Sequence, residues 1–154
     1  MQRRFRKINP KLKEIKINLG CGYLIEKDSI GIDLRDCGQD LIWDIRDGIP
    51  FADESVDMVC SSHFLEHLDA DESLDLIKDI YRVLKPGGTT EHILPHSIDT
   101  KALYFGHKTL WNEDRVASIP KIIGLERFKV LANKMVERNT GGAKYELAFR
   151  LIKQ

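Results

Sequence analysis

Two short apolar runs lie unusually close together near the start of the chain. Residues 15–20 read IKINLG, an alternating run that breaks at glycine as a buried strand does. Residues 29–34 read SIGIDL, a second short strand that ends in an acid. The turn Gly20-Cys21-Gly22 closes the first run, and only YLIEKDS separates it from the second, which leaves room for a turn or two of helix at most. Small residues in a G-x-G turn let a ligand approach the backbone closely. The dinucleotide fingerprint G-x-G-x-x-G nevertheless fails, because Ile25 stands at its third glycine. Asp33 follows Gly22 by eleven residues, whereas a dinucleotide-binding acid lies roughly 20 residues beyond the glycines. A pyrophosphate cradle at the start of a full helix is therefore disfavoured. A ligand with a ribose and no phosphate suits the arrangement better, since a carboxylate at the carboxyl end of a strand can accept from both ribose hydroxyls.

The rest of the chain continues the alternation of strand and helix. DLIWDI (40–45) and SVDMVCSS (55–62) read as a third and a fourth strand, the latter announced by the turn residues of FADES. A helix opens at Asp69, with Glu72 three residues on as in a capping box, and Leu74, Ile77, Tyr81 and Leu84 form its expected buried stripe. KPGG (85–88) is expected to stop it, and TTEHILP to be a fifth strand. NEDRVASIPKIIG reads as a second helix, capped by Asn112, stopped by Gly124 and containing Pro120. FKVLANKMVE and YELAFRLIK, joined by RNTGGAK, suit an antiparallel hairpin. The pattern predicts an α/β sheet in a single domain, residues 14–154, after a basic extension, residues 1–13.

Charge and cysteine usage narrow the class. Formal net charge is +0, so the chain as a whole is not a polyanion binder. The first sixteen residues, however, carry seven basic side chains against Glu14. They predict a solvated extension or an arm for an anionic partner such as nucleic acid. No apolar run is long enough for a signal peptide or a membrane span. Cys21, Cys37 and Cys60 form no C-x-x-C and no disulfide framework, which points to a reducing, cytoplasmic compartment.

INLGCG, IGIDL, WDIRDGIPFADESVDMVCSSHFLEHL and YRVLKPGG occur in this order. Together they resemble the class I S-adenosylmethionine-dependent methyltransferases, and most closely their compact type-11-like members with a shortened first helix. The resemblance runs from about Ile15 to Pro95. It implies a Rossmann-like fold with a mostly parallel seven-stranded sheet and a C-terminal antiparallel hairpin. It implies S-adenosyl-L-methionine as cofactor and S-adenosyl-L-homocysteine as product. By that resemblance Gly20, Cys21 and Gly22 pass under the methionine part and Asp33 holds the ribose. Leu34 packs on the adenine, and Asp44 with the backbone of Ile45 reads the adenine amino group. The backbone carbonyls of Cys60 and Ser61, at the end of the fourth strand, meet the cofactor's amino group and lead into the transfer site. The chain departs from the pattern in its short first crossover and in LPHSID, where His96 stands in the place of an acid.

HFLEH, residues 63–67, also matches H-x-x-E-H, an inverted zinc-protease signature. That reading needs both histidines on one face of an established helix and a third protein ligand. This stretch comes straight off a strand and precedes the Asp69 cap, so loop or one short turn is expected. The resemblance instead explains Leu65 to Leu68 as the LEHL element after strand four, with Glu66 and His67 as structural hydrogen-bonding groups and no metal. A general base is needed when the methyl acceptor arrives protonated, and histidine suits neutral pH. His63 and His96 are the candidates, both at carboxyl ends of strands. His107, Tyr104, Phe105 and Trp111 are an aromatic wall or simply core, and His92 is a buried, satisfied residue.

The expected function is methyl transfer to a small or medium-sized acceptor. The alternatives are a catalytically inactive cofactor-binding domain that works through a partner, and a nucleic-acid-directed methyltransferase. With little chain left for a lid, a second subunit would complete the site in a homo-oligomer.

Overall fold

The computed structural model describes residues 4–5, 13–24, 27–137 and 143–154. In chain order the elements are β1 (Arg4–Phe5), β2 (Lys16–Leu19), β3 (Ile30–Asp33), β4 (Leu41–Ile42), β5 (Val56–Ser62), α1 (Ala70–Val83), β6 (Leu84–Pro95), α2 (Glu113–Ile122), β7 (Phe128–Glu137) and β8 (Tyr145–Lys153). They build one sheet in the order β1-β4-β3-β2-β5-β6-β8-β7. Strands β4, β3, β2, β5 and β6 run parallel, while β8 is antiparallel to both β6 and β7. The seven expected strands are β2 to β8. β1 is an addition at the edge, pairing antiparallel with β4 from within the stretch expected to be an extension. Most of that basic stretch, and residues 138–142 of the hairpin loop, lie outside the described residues.

The parallel order places the site. The chain steps outward from β2 to β3 and β4, then returns as β5 on the other side of β2. The carboxyl ends of β2 and β5 thus flank the switch point at which open α/β sheets bind ligands. No helix lies between β2 and β3 among the described residues; a turn closed by Leu24 N–H donating to Cys21 O does that work. Ile17, Leu19, Ile32 and Val59 of the central strands are buried, and so are Ile80 of α1 and Phe149 of β8.

Some boundaries differ from expectation for identifiable reasons. The third strand is only Leu41–Ile42, because Asp44 accepts from Arg46 N–H and starts a 3-10 turn at Ile45–Asp47. α1 has the full Asp69/Glu72 capping box, but it buries Ser73, Leu76, Ile77, Ile80 and Val83. Leu74 is only half-buried, and Tyr81 lies at the rim, edge-on to Phe128 at 5.4 Å. The helix ends at Val83 rather than at KPGG, since Leu84 is already extended and pairs with Val56. KPGG is instead an irregular stretch of β6, with Gly87 at φ 82° and a register shift across it. The IPFAD stretch is held down by α1: Arg82 donates to the carbonyls of Ile49 and Phe51 at 2.9 Å each and to Asp53 at 2.7 Å.

Candidate active site

β2, β3 and β5 end at a cavity of about 450 Å³, within the range of roughly 300–1,000 Å³ usual for small-molecule sites. Gly20 and Gly22 turn the chain at φ 62° and 52°, conformations that glycine adopts without strain. At Gly20 a side chain is also excluded by space, because a Cβ would lie 2.1 Å from the Phe64 ring. Asp33 is clamped at the mouth. Its Oδ2 accepts from Gly22 N–H and its Oδ1 from Arg35 N–H, both at 2.9 Å. Each carboxylate oxygen has two lone pairs, so acceptor capacity is left over. This cross-link makes the glycine turn and the acid a single unit.

Of the expected cofactor residues, Gly20, Asp33, Leu34, Asp44 and Ile45 line this cavity. Cys21 is buried behind the turn, and burial, then the Asp33 charge, pushes its thiol up to about 12. Asp44 gives its carboxylate to Arg46, accepting from Nε at 2.9 Å and Nη2 at 2.6 Å. Those bonds hold its pKa below the usual carboxylate value. Cys60 and Ser61 do not line the cavity: Cys60 Sγ lies 3.4 Å from Ile17 O, and Ser61 Oγ bonds His92 Nδ1 at 2.7 Å. The sequence reading missed Trp43, Phe64, Glu72 and Lys108, which also line it. Glu72 was legible as the capping-box acid; it also bridges Arg46 at 3.5 Å and Lys108 at 3.2 Å. Lys108 reaches the cavity only through the fold.

The two candidate histidines part company. His63 lines the cavity, at φ 51°, with Nε2 3.0 Å from Glu146 Oε1 and Nδ1 3.5 Å from Glu66 Oε1. Both carboxylates are buried, and Glu66 above all, with Glu146, raises the pKa of His63 against the opposing effect of burial. His96 is buried away from the cavity. Its Nδ1 accepts from Ile98 N–H at 3.2 Å and its Nε2–H donates to Glu113 Oε2 at 2.8 Å, so both ring nitrogens are engaged. Of the two candidate bases, His63 is the one that lines the cavity. The aromatic wall also dissolves: Trp111 is core, stacked on Phe149 at 5.9 Å, whereas Tyr104 and Phe105 are exposed.

The LEH stretch is one 3-10 turn, Leu65–His67. Its backbone holds the segment after Gly106, since Glu66 O accepts from Lys108 N–H at 2.7 Å. The side chain of Glu66 is not the structural hydrogen-bonding group expected, because neither of its oxygens has a hydrogen-bond partner among the described residues.

A methyltransferase-domain family matches residues 33–90. No curated protein sequence matches the chain. Solved structures do. An Archaeoglobus fulgidus S-adenosylmethionine-dependent methyltransferase is similar at TM-score 0.70 and 17% identity, over 94% of this chain and 89% of that one. The Burkholderia thailandensis 1,6-didemethyltoxoflavin-N1-methyltransferase with bound S-adenosylhomocysteine is similar at TM-score 0.69 and 13% identity, over 92% and 71%. A chain of the Haloferax volcanii complex that contains the Trm112 methyltransferase activator is similar at TM-score 0.67 and 17% identity, over 91% and 82%. The fold is that of the class I S-adenosylmethionine-dependent methyltransferases. The family model that matches residues 33–90 is that of a type-11 methyltransferase domain.

Proposed function

We propose that this chain transfers a methyl group from S-adenosylmethionine to a small or medium-sized acceptor, with the cofactor seated across the ends of β2, β3 and β5. The observation that carries this reading is Asp33, fixed at the cavity by two backbone donors with lone pairs to spare for a ribose. The cofactor brings a methyl group made electrophilic by a sulfonium. The bare turn at Gly20 gives its methionine part a close backbone surface, and Leu34 and Ile45 give the adenine apolar walls. Asp44 is taken up by Arg46, so recognition of the adenine amino group falls to the backbone around Ile45. For the transfer itself the chain contributes alignment and exclusion of water. His63 lies at the cavity with Nε2 hydrogen-bonded to Glu146 at 3.0 Å and Nδ1 3.5 Å from Glu66 Oε1, so two carboxylates face its ring. It is the candidate general base that faces the cavity, held in place by Glu146.

Calorimetric titration with S-adenosylhomocysteine tests this. Saturable binding by the intact chain, weakened at least tenfold in Asp33→Ala, is the expected result. Absence of binding by the intact chain overturns the reading. A second reading, a cofactor-binding domain that acts with a partner chain, draws support from the exposed Leu103, Tyr104 and Phe105 next to the site segment. The similarity to a complex containing an activator points the same way. It is distinguished by cofactor binding without turnover of any acceptor until a partner is added.

A further inference from the structure

Glu66, His67 and His107 bring one donor atom each to within 4.8 Å of one another. From this cluster we infer a binding site for a divalent transition-metal ion on the wall of the cavity. Glu66 is 1% exposed, and both its carboxylate oxygens are shut off from solvent without a hydrogen-bond partner among the described residues. Nδ1 of His63 lies 3.5 Å from its Oε1. Nδ1 of His107 is likewise closed off and has no hydrogen-bond partner there. Buried polar groups in folded proteins are nearly always satisfied, so two orphans in one cluster call for a missing partner. A cation satisfies both kinds at once, since it takes the lone pairs of a carboxylate and of a neutral imidazole.

The ring of His67 is prepared for that role. Its Nδ1 faces Gly106 O at 3.1 Å, and a carbonyl only accepts, so the proton of the neutral ring sits on Nδ1 and Nε2 keeps its lone pair. A backbone carbonyl that fixes the tautomer of a ligating histidine is the usual outer support of a metal site. The two segments that carry the donors are also tied to each other, Lys108 N–H and Thr109 N–H both donating to Glu66 O. The rings of His67 and His107 meet edge to face at 4.7 Å.

Two imidazoles and one carboxylate suit zinc, cobalt, manganese or iron better than calcium or magnesium. A span of 4.8 Å is wider than the roughly 3.4 Å between ligands that bonds of about 2.1 Å impose in a tetrahedral site, so binding would draw the donors together. Three protein ligands leave a coordination position open. His67 and Lys108 line the cavity, which places that position beside the space an acceptor occupies under the proposed function. Only this last placement rests on that function. The H-x-x-E-H reading thus returns altered, with His107 as the third ligand and His63 as a neighbour of Glu66 rather than a ligand.

The test uses tag-free, chelator-stripped full-length protein titrated with Zn²⁺ by calorimetry and with Co²⁺ by visible absorption. One ion per chain is expected, with Co²⁺ bands of a low-coordinate N/O site. Affinity should fall at least tenfold in His107→Ala and separately in Glu66→Gln, which keeps the buried shape. Asp33→Ala should leave metal binding unchanged. Absence of saturable binding, or binding equally tight in both cluster variants, overturns the site. Titration of the same proteins with S-adenosylhomocysteine keeps the two ideas apart, because the cofactor reading fails on Asp33 and the metal site on Glu66 and His107.

Discussion

His92 lies in β6 with 2% of its surface exposed and, among the described residues, one polar side-chain contact, to Ser61. Burial alone depresses its pKa to about 3. In the unfolded chain it titrates near 6.5, so below that pH the unfolded state takes up a proton that the folded state refuses. Stability is therefore full above about pH 6.5 and declines as pH falls, by at most about 1.4 kcal/mol per pH unit, until the folded ring itself protonates. Urea midpoints measured from pH 7.5 to 5 should fall accordingly. In His92→Gln, where the amide can still bond Ser61, that part of the slope should vanish. A His92→Gln slope equal to that of the parent would remove His92 as the cause.

The same economy governs the end of α1. Lys153, at the close of β8, is 7% exposed, and its Nζ donates to Tyr81 O at 3.1 Å and Leu84 O at 2.9 Å. It also pairs with Glu54 at 3.1 Å and stands over the Tyr81 ring at 4.6 Å. A cation on the last carbonyls of a helix replaces partners that the helix lacks and complements its dipole. Lys153→Met keeps the stem and removes the donors, and it should cost about 2–3 kcal/mol in denaturant unfolding, the scale of charged hydrogen bonds left unmade. Elements were the most legible level of this chain. The capping box at Asp69, the Asn112 cap and the late hairpin follow from local chemistry that any reader of the residues can apply. The errors come from longer range. Tyr81 was placed in the stripe by spacing, but Phe128 and Lys153 keep it at the rim. His63 and His96 looked alike at strand ends, and they are separated by Glu146, 83 residues from His63, and by Glu113 of α2. The glycine turn and Asp33 were readable because eleven residues join them. His107 was not readable as a partner of Glu66 and His67, because backbone bonds from the following residues bring it there.

At the scale of the molecule, the crossing from β2 outward and back to β5 makes one crevice from residues spread from Gly20 to Lys108. The thiol of Cys21 is buried behind the glycine turn that floors this crevice, 5% exposed and pushed up to about 12. Such a thiol is inert to alkylating reagents as long as the floor stays shut, since only an exposed thiolate reacts. The chain therefore carries its own clock. The time course of iodoacetamide labelling at Cys21, resolved from Cys37 and Cys60 by peptide mass spectrometry, counts how often the floor opens. S-adenosylhomocysteine should lengthen that time by the factor by which it is bound, and labelling as fast as in an unfolded control would show that the floor does not stay shut.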